Sequence, residues 1–293
     1  MTAAIKISSR ATREFWELEV LFEDADLLAL DKPAGLPTSP DPEEPDRPSL
    51  MRLLHDGIVG GAPWAASRQL SYLANPHRLD AEIGGVLLLA KNKAALVQLA
   101  NQFGSERTAR IYIALVQGSP AEATFRVEAK LGPHPARPGT MRVDPREGKR
   151  AATEFTVLER FAGHTLLKCQ PLTERPHQIR VHLRSRGLAI AGDERYGGRP
   201  LLLSRLKPGY RFKQDRDELP LIGEVALYAE ELVIAHPVTA EPLTLRAAWP
   251  KYLNVALKFL RRYAPARSLP TPEQPTADES PATRDDQDRR AED

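Results

Sequence analysis

Cysteine is almost absent: Cys169 stands alone in 293 residues. No internal disulfide is possible, so folding needs no oxidising compartment. Cys169 ends the largely apolar run Thr165-Leu166-Leu167-Lys168-Cys169, where buried packing is its expected role. Long apolar runs are missing too, and none approaches the roughly 20 residues that cross a bilayer. Met1 to Arg13 carries basic residues without an apolar stretch, so no secretory signal is expected and a cytoplasmic location is the default. There is no glycine-rich loop of nucleotide-binding spacing and no G-x-S-x-G elbow. His177 and His182 are five apart and do not share a helical face, so no metal site is expected. No internal repeat is present.

What remains is ordinary in bulk and uneven in detail. Hydrophobic residues make up 42% and charged residues 27%, the balance of a soluble globular chain long enough to bury a core without staples. The formal charge is +2, yet from Ala264 onward four arginines face eight acids, leaving −4 on the tail and +6 on the body. A basic body admits a polyanionic partner. The tail is rich in Pro, Glu, Asp, Ser and Thr, and is expected to be disordered.

Three segments follow: a loose arm over 1–16, one domain over 17–263, and the tail over 264–293. Residues 18–22 and 27–30 flank a Glu-Asp-Ala-Asp turn and read as a β-hairpin. Ser49 is a candidate cap for a short helix to Asp56, and Asn92 for a helix from Lys93 to Phe103. Strands are expected over 110–116, 124–129, 153–158, 165–169, 231–235 and 243–247, and helices over 176–186 and 252–263. Residues 131–150 and 197–223 read as long, partly basic loops. The order mixes strands and helices without strict alternation, which predicts an α+β fold with a mixed, largely antiparallel central sheet flanked by helices and loops.

Two segments carry chemistry. Asn75 to Lys91 puts the turn His77-Arg78-Leu79-Asp80 before Val86-Leu87-Leu88-Leu89-Ala90, a short apolar run that fits a strand buried on both faces. A carboxylate at the lip of such a strand is held rigidly while open to a ligand, although alone the segment reads first as a solvated salt bridge worth under about 1 kcal/mol. Arg175-Pro176-His177-Gln178-Ile179-Arg180-Val181-His182 would project polar groups from a helix start, where backbone N–H groups favour anions. Alone it reads first as a basic, solvated helix end.

Together these segments resemble the RluA-type pseudouridine synthases, which turn uridine of ribosomal or transfer RNA into its C-glycoside isomer. Lys32-Pro33-Ala34-Gly35-Leu36 resembles the family's lysine-proline-glycine turn. His77-Arg78-Leu79-Asp80 with Gly85 and Leu88 to Lys91 resembles its catalytic motif, and Arg110-Ile111-Tyr112 its tyrosine strand. Arg175 with His177 to His182, then Gly192-Asp193 and Tyr196-Gly197, resembles its third motif. The likeness covers about residues 17–263. Departures border the expected pocket: Ile83-Gly84 stand for threonine-serine, Arg110 for a usual lysine, Glu174 and Pro176 for a glycine and a hydroxyl residue, and Leu188-Ala189 for histidine-proline. The S4-type RNA-binding domain that many relatives carry is not expected before Leu18.

The resemblance implies a catalytic cleft, a structured RNA partner, no cofactor and, by default, a monomer. It implies Asp80 as the essential carboxylate, Arg180 as the partner that keeps it ionised, and Tyr112 as a catalytic ring that stacks on uracil and can help the final removal of the C5 proton. Arg78 would fill the gap left by a flipped nucleotide, and Ile179 would pack on the base. Arg175, His77, His177, Gln178 and Lys32 complete the expected substrate-binding set. His77, His177 and Gln178 act there mainly as supports, and Lys32 as a structural or phosphate-contacting residue. Two competing readings are an RNA-binding or chaperone protein with little turnover, and a glycosidase needing a second carboxylate about 5 to 10 Å from the first. Glu82 is nearest in sequence and is expected to point elsewhere.

Overall fold

A computed structural model describes residues 4–40, 44, 46–105, 107–210 and 217–266. The chain opens with a small hairpin, β1 (Ile5–Ser8) against β2 (Phe15–Leu18). Ile5, Ile7 and Leu18 are buried in the main core, so this part of the expected loose arm is a docked ribbon. Alternation of Ile5, Lys6, Ile7 and Ser8 gives it one apolar face. A second hairpin, β3 (Val20–Glu23) and β4 (Leu27–Lys32), follows where the sequence predicts one. Asp24 closes its turn by accepting from the backbone N–H groups of Asp26 and Leu27.

Helices α1 (Leu50–Val59) and α2 (Pro63–Ala66) lead to β5 (Gly84–Ala90) and α3 (Lys93–Gly104). Asn92 caps α3 by accepting from Ala95 N–H at 2.8 Å. Ser49 stands at the N-cap of α1, but its hydroxyl makes no capping bond and is buried without a partner among the described residues. Next come β6 (Ala109–Gln117), β7 (Thr124–Pro133), β8 (Met141–Val143), β9 (Lys149–Phe161) and β10 (His164–Pro171). The expected loop over 131–150 therefore carries strand at both ends and a short strand within: β7 runs to Pro133, β8 pairs with its end, and β9 begins at Lys149. Its glycines, prolines and charges mask these pieces, which are only two or three residues long within that span.

Helix α4 (Gln178–Ser185) starts two residues later than expected, because His177 adopts a left-handed conformation (φ 53°) and leaves Pro176 in the preceding turn. The short α5 (Leu203–Leu206) interrupts the segment read as irregular, of which 211–216 lies outside the described residues. β11 (Leu227–Ala235), β12 (Pro242–Arg246) and α6 (Lys251–Tyr263) complete the fold. The tail from 267 onward also lies outside the described residues.

Ten strands form one sheet in the order β3-β4-β5-β11-β6-β10-β9-β7-β8, with β12 on β11. All described pairings are antiparallel except that of β5 with β11 at the centre. All seven residues of β5 are buried, which explains its unbroken apolar run: a strand covered on both faces has no polar side to alternate with. Gly85 is required at this seam. Its φ is +119°, and a Cβ there would lie 2.1 Å from the Ala229 carbonyl oxygen.

Candidate active site

The loop before β5 is pinned at alternate residues. Neutral His77 accepts the Leu88 N–H on Nε2 at 3.0 Å. Thr38 Oγ1 donates to the Leu79 carbonyl and accepts from Leu79 N–H, at 2.8 and 3.1 Å. The Ala81 carbonyl accepts from Gly35 N–H at 2.8 Å and from Lys32 Nζ at 3.3 Å. These bonds fix the segment that carries Arg78, Asp80 and Glu82, and a turn closed by Ile83 N–H on the Asp80 carbonyl sets the last two.

They project toward α4. Arg180, 1% exposed, donates through Nε and Nη2 to both carboxylate oxygens of Asp193 at 2.8 Å each. Its remaining nitrogen, Nη1, faces Asp80 Oδ2 at 3.6 Å and Glu82 Oε2 at 3.5 Å. The close partner of Arg180 is therefore Asp193 rather than Asp80. Glu82, expected to point elsewhere, joins the cluster and also faces Arg195 at 3.7 Å. Burial disfavours the Arg180 charge, but the hydrogen bonds and charge of Asp193, then Glu82 and Asp80, outweigh it and raise the pKa. Burial likewise raises the Glu82 carboxyl, yet Arg180, a backbone bond, Arg195 and His177 bring it below its ordinary value. Glu82 is ionised at neutral pH.

His177 stands against Asp80, Nε2 to Oδ2 3.7 Å. Tyr196 Oη accepts from Met141 N–H at 2.9 Å, which frees its own proton for His177 Nδ1 at 2.7 Å. The His177 proton is then on Nε2, facing Asp80. Burial lowers the His177 pKa, against the opposing pull of Asp80. Tyr196 also lies under the Arg180 guanidinium, 4.9 Å from ring centre to Cζ, a stacking that suits a weakly hydrated planar cation.

Asp80, Tyr112 and Arg180 line one cavity of about 380 Å³, together with Arg78, Arg175, His177, Gln178 and Ile179. Tyr112 comes from β6, and burial pushes its phenol up to about 12. Arg78 is exposed, and Ile179 is 6% exposed. Arg175 donates to the carbonyls of Arg150 and Glu174. Gln178 reaches the wall with its amide already committed: it accepts from Thr173 Oγ1 and donates to Ala152 O and Thr153 Oγ1.

Two expected substrate contacts are not on this wall. Lys32 is 0% exposed, and its ammonium is enclosed by the carbonyls of Pro33, Leu36 and Ala81 at 2.9, 2.6 and 3.3 Å. Burial lowers its pKa to about 7, against Asp80, Glu82 and Asp31; it braces the loop and cannot reach a phosphate. His77 is buried, stacks on Phe103 at 4.7 Å, and is lowered to about 3 by burial and then by Arg110. The residues missed by sequence reasoning as site members are Asp193, Tyr196 and Glu82. The first two stand in the third motif, and only their roles were invisible. Asp24, Asp26 and His236 also bring three ligand-type atoms within 4.8 Å of one another, but none lines the cavity.

At the lip of the mixed sheet, one cavity thus brings together a carboxylate, an arginine and a tyrosine. Residues 26–185 match the family model described as RNA pseudouridylate synthase, and the chain belongs to that family; it is an isomerase acting on RNA. It is 33% identical over 251 residues to an uncharacterized RNA pseudouridine synthase of Synechocystis, covering 85% of this chain and 70% of that one. It is 34% identical to ribosomal large subunit pseudouridine synthase D of Nitrosomonas europaea, covering 83% and 65% of the two chains. Human RNA pseudouridylate synthase domain containing 4 shares the fold, with a TM-score of 0.60 at 22% identity, covering 83% of this chain and 92% of that one.

Proposed function

We propose that the chain isomerises one or more uridines of structured RNA, ribosomal RNA first, with Asp80 as the reacting carboxylate. The observation that carries this is the meeting of Asp80, Arg180 and Tyr112 at one cavity, with Asp80 Oδ2 3.6 Å from Arg180 Nη1. The preference for ribosomal RNA follows relatives named for the large ribosomal subunit.

The reaction breaks the N1–C1′ bond, turns the base, forms a C5–C1′ bond and moves the C5 proton away. Asp80 either attacks the sugar or base, or removes a sugar proton. Arg180 holds that charge without neutralising it, because Asp193 already occupies two of its nitrogens. Tyr112 keeps its proton at neutral pH, so it serves as a stacking face, and removal of the C5 proton falls to a carboxylate. Arg78 fills the gap of the extruded nucleotide, since a base inside a helix is out of reach. Ile179 closes the other side. A glycosidase needs one protonated carboxyl; Glu82, the second carboxylate here, is held ionised.

The test is a transcript-wide pseudouridine map with and without the gene, followed by Asp80→Asn on the RNA it identifies. Loss of product with RNA affinity kept within about threefold is expected, because the variant removes a charge and not a contact surface. Undiminished turnover in Asp80→Asn would sink the assignment.

A further inference from the structure

Two of the residues that depart from the family pattern meet at the cavity wall. Arg110 Nη1 lies 2.6 Å from Glu174 Oε2, although 64 residues separate them in sequence. Arg110 lies on β6 two residues before Tyr112, on the same side of the strand. Glu174 lies in the segment between β10 and α4, and both side chains line the cavity. Arg110 is 5% exposed, and its Nε–H has no acceptor among the described residues. Glu174 keeps 43% of its side chain open and uses one carboxylate oxygen on Arg110, leaving Oε1 for a ligand.

Resting on the reading of this cavity as a uridine site, we propose that Arg110 and Glu174 read the Watson–Crick edge of the target base. Glu174 accepts the uracil N3–H, and the Arg110 guanidinium donates to the adjacent ring carbonyl. On this reading a base lying on Tyr112 turns its sugar toward Asp80 and its far edge toward this pair, all four residues lining the one cavity. That edge presents acceptor, donor, acceptor: O2, N3–H, O4. Cytosine replaces N3–H by a lone pair and O4 by an amino group. An ionised carboxylate can only accept, so it meets uracil N3–H with a bond and cytosine N3 with repulsion. A site that leaves buried polar groups unpaired rejects the wrong ligand far better than one that merely loses a contact.

The pair also suits the motion the reaction requires. Once N1–C1′ breaks, C5 must come to the place of N1. A half turn of the ring about the line through N3 and C6 does this. It exchanges O2 with O4 and leaves N3–H where it was. Glu174 holds its bond throughout, while Arg110 meets one carbonyl before the turn and the other after it. The reader is thus also the pivot. C5 then bonds to C1′, its proton leaves, N1 takes a proton, and the product is an isomer of the substrate.

The test uses the full chain and a short RNA carrying the uridine found by mapping, beside the same RNA with cytidine there. Affinities are measured in an Asp80→Asn background so that uridine persists. With Glu174 present, uridine is preferred by about tenfold or more. Glu174→Gln offers an amide that can donate as well as accept, so the preference falls to about threefold or less, with cytidine-RNA affinity kept or improved. In the otherwise native chain, Glu174→Gln lowers kcat on uridine RNA by about tenfold or more. Arg110→Lys keeps the charge and Glu174, so it retains the uridine preference while lowering kcat. If Glu174→Gln weakens both RNAs equally and the uridine-to-cytidine ratio stands, the pair is only a brace between β6 and the 172–177 segment, and the proposal is overturned. A native chain that forms no pseudouridine in any RNA overturns the parent reading instead, a separate and visible result.

Discussion

One guanidinium serves three carboxylates at Arg180, and the division of labour decides what each can do. Asp193 takes the two short bonds, so breaking it strands a buried charge. Asp193→Ala is expected to cost about 3 kcal/mol or more and to abolish activity; a melting temperature unchanged within error would show that the pairing does not hold the site. His77 and His182 give a second prediction at this scale. Burial lowers them to about 3 and about 4, from an ordinary 6.5. Between those values and 6.5 the unfolded chain binds more protons than the folded one, so stability rises with pH across that window and is lost as pH falls through it. At pH 5 His77 alone accounts for roughly 2 kcal/mol. Thermal melts from pH 7 to 4 should show the decline, and His77→Gln, whose amide oxygen can accept Leu88 N–H, should flatten it. Asp80 was legible in the letters because its motif is contiguous. That Asp193 is Arg180's first partner was not, since nothing in their 13-residue spacing says which carboxylate a guanidinium will choose.

Between β5 and β11 the sheet changes from antiparallel to parallel, and the loop that carries Asp80 enters at that seam. Gly85→Ala would drive a Cβ into the Ala229 carbonyl oxygen, 2.1 Å away, at a φ of +119°. Loss of both stability and activity is expected, by several kcal/mol and at least about tenfold; a fully active, stable variant would show that the seam tolerates displacement. The β7–β8 hairpin is tied to the site through Met141 N–H, Tyr196 Oη and His177. Tyr196→Phe keeps the ring over Arg180 and removes both bonds, so stability should fall by only about 1–2 kcal/mol while kcat falls more. Equal losses in folding and catalysis would deny the link. Strands with alternating or unbroken apolar runs were readable. The 131–150 extension was not, because its strand pieces are only two or three residues long, too short to show a hydrophobic period.

At the scale of the whole molecule, excess positive charge before the tail means that RNA affinity should fall steeply with added salt, as counterions are released from the phosphates. Titrations between 50 and 200 mM salt measure the slope, and a flat response would point to a ligand other than a polyanion. The amino-terminal hairpin belongs to the same core. Deleting residues 1–18 removes buried Ile5, Ile7 and Leu18, each worth about 1.5–3 kcal/mol, so a large fall in melting temperature is expected. An unaltered melt would restore the loose arm. No described helix is long and apolar enough to cross a membrane.

Alone, the sequence determined the chemistry available and most of the strands: which carboxylate, arginine and phenol stand in motifs, and which runs must be buried on both faces. These are local properties, carried by neighbours a few residues apart. The tertiary structure alone decided the partnerships. Asp193 takes Arg180, Glu82 turns inward beside Asp80, Lys32 disappears under three carbonyls, and Arg110 finds Glu174 across the cavity. Such choices depend on distances between elements far apart in the chain, which exist only once the sheet has set its strand order.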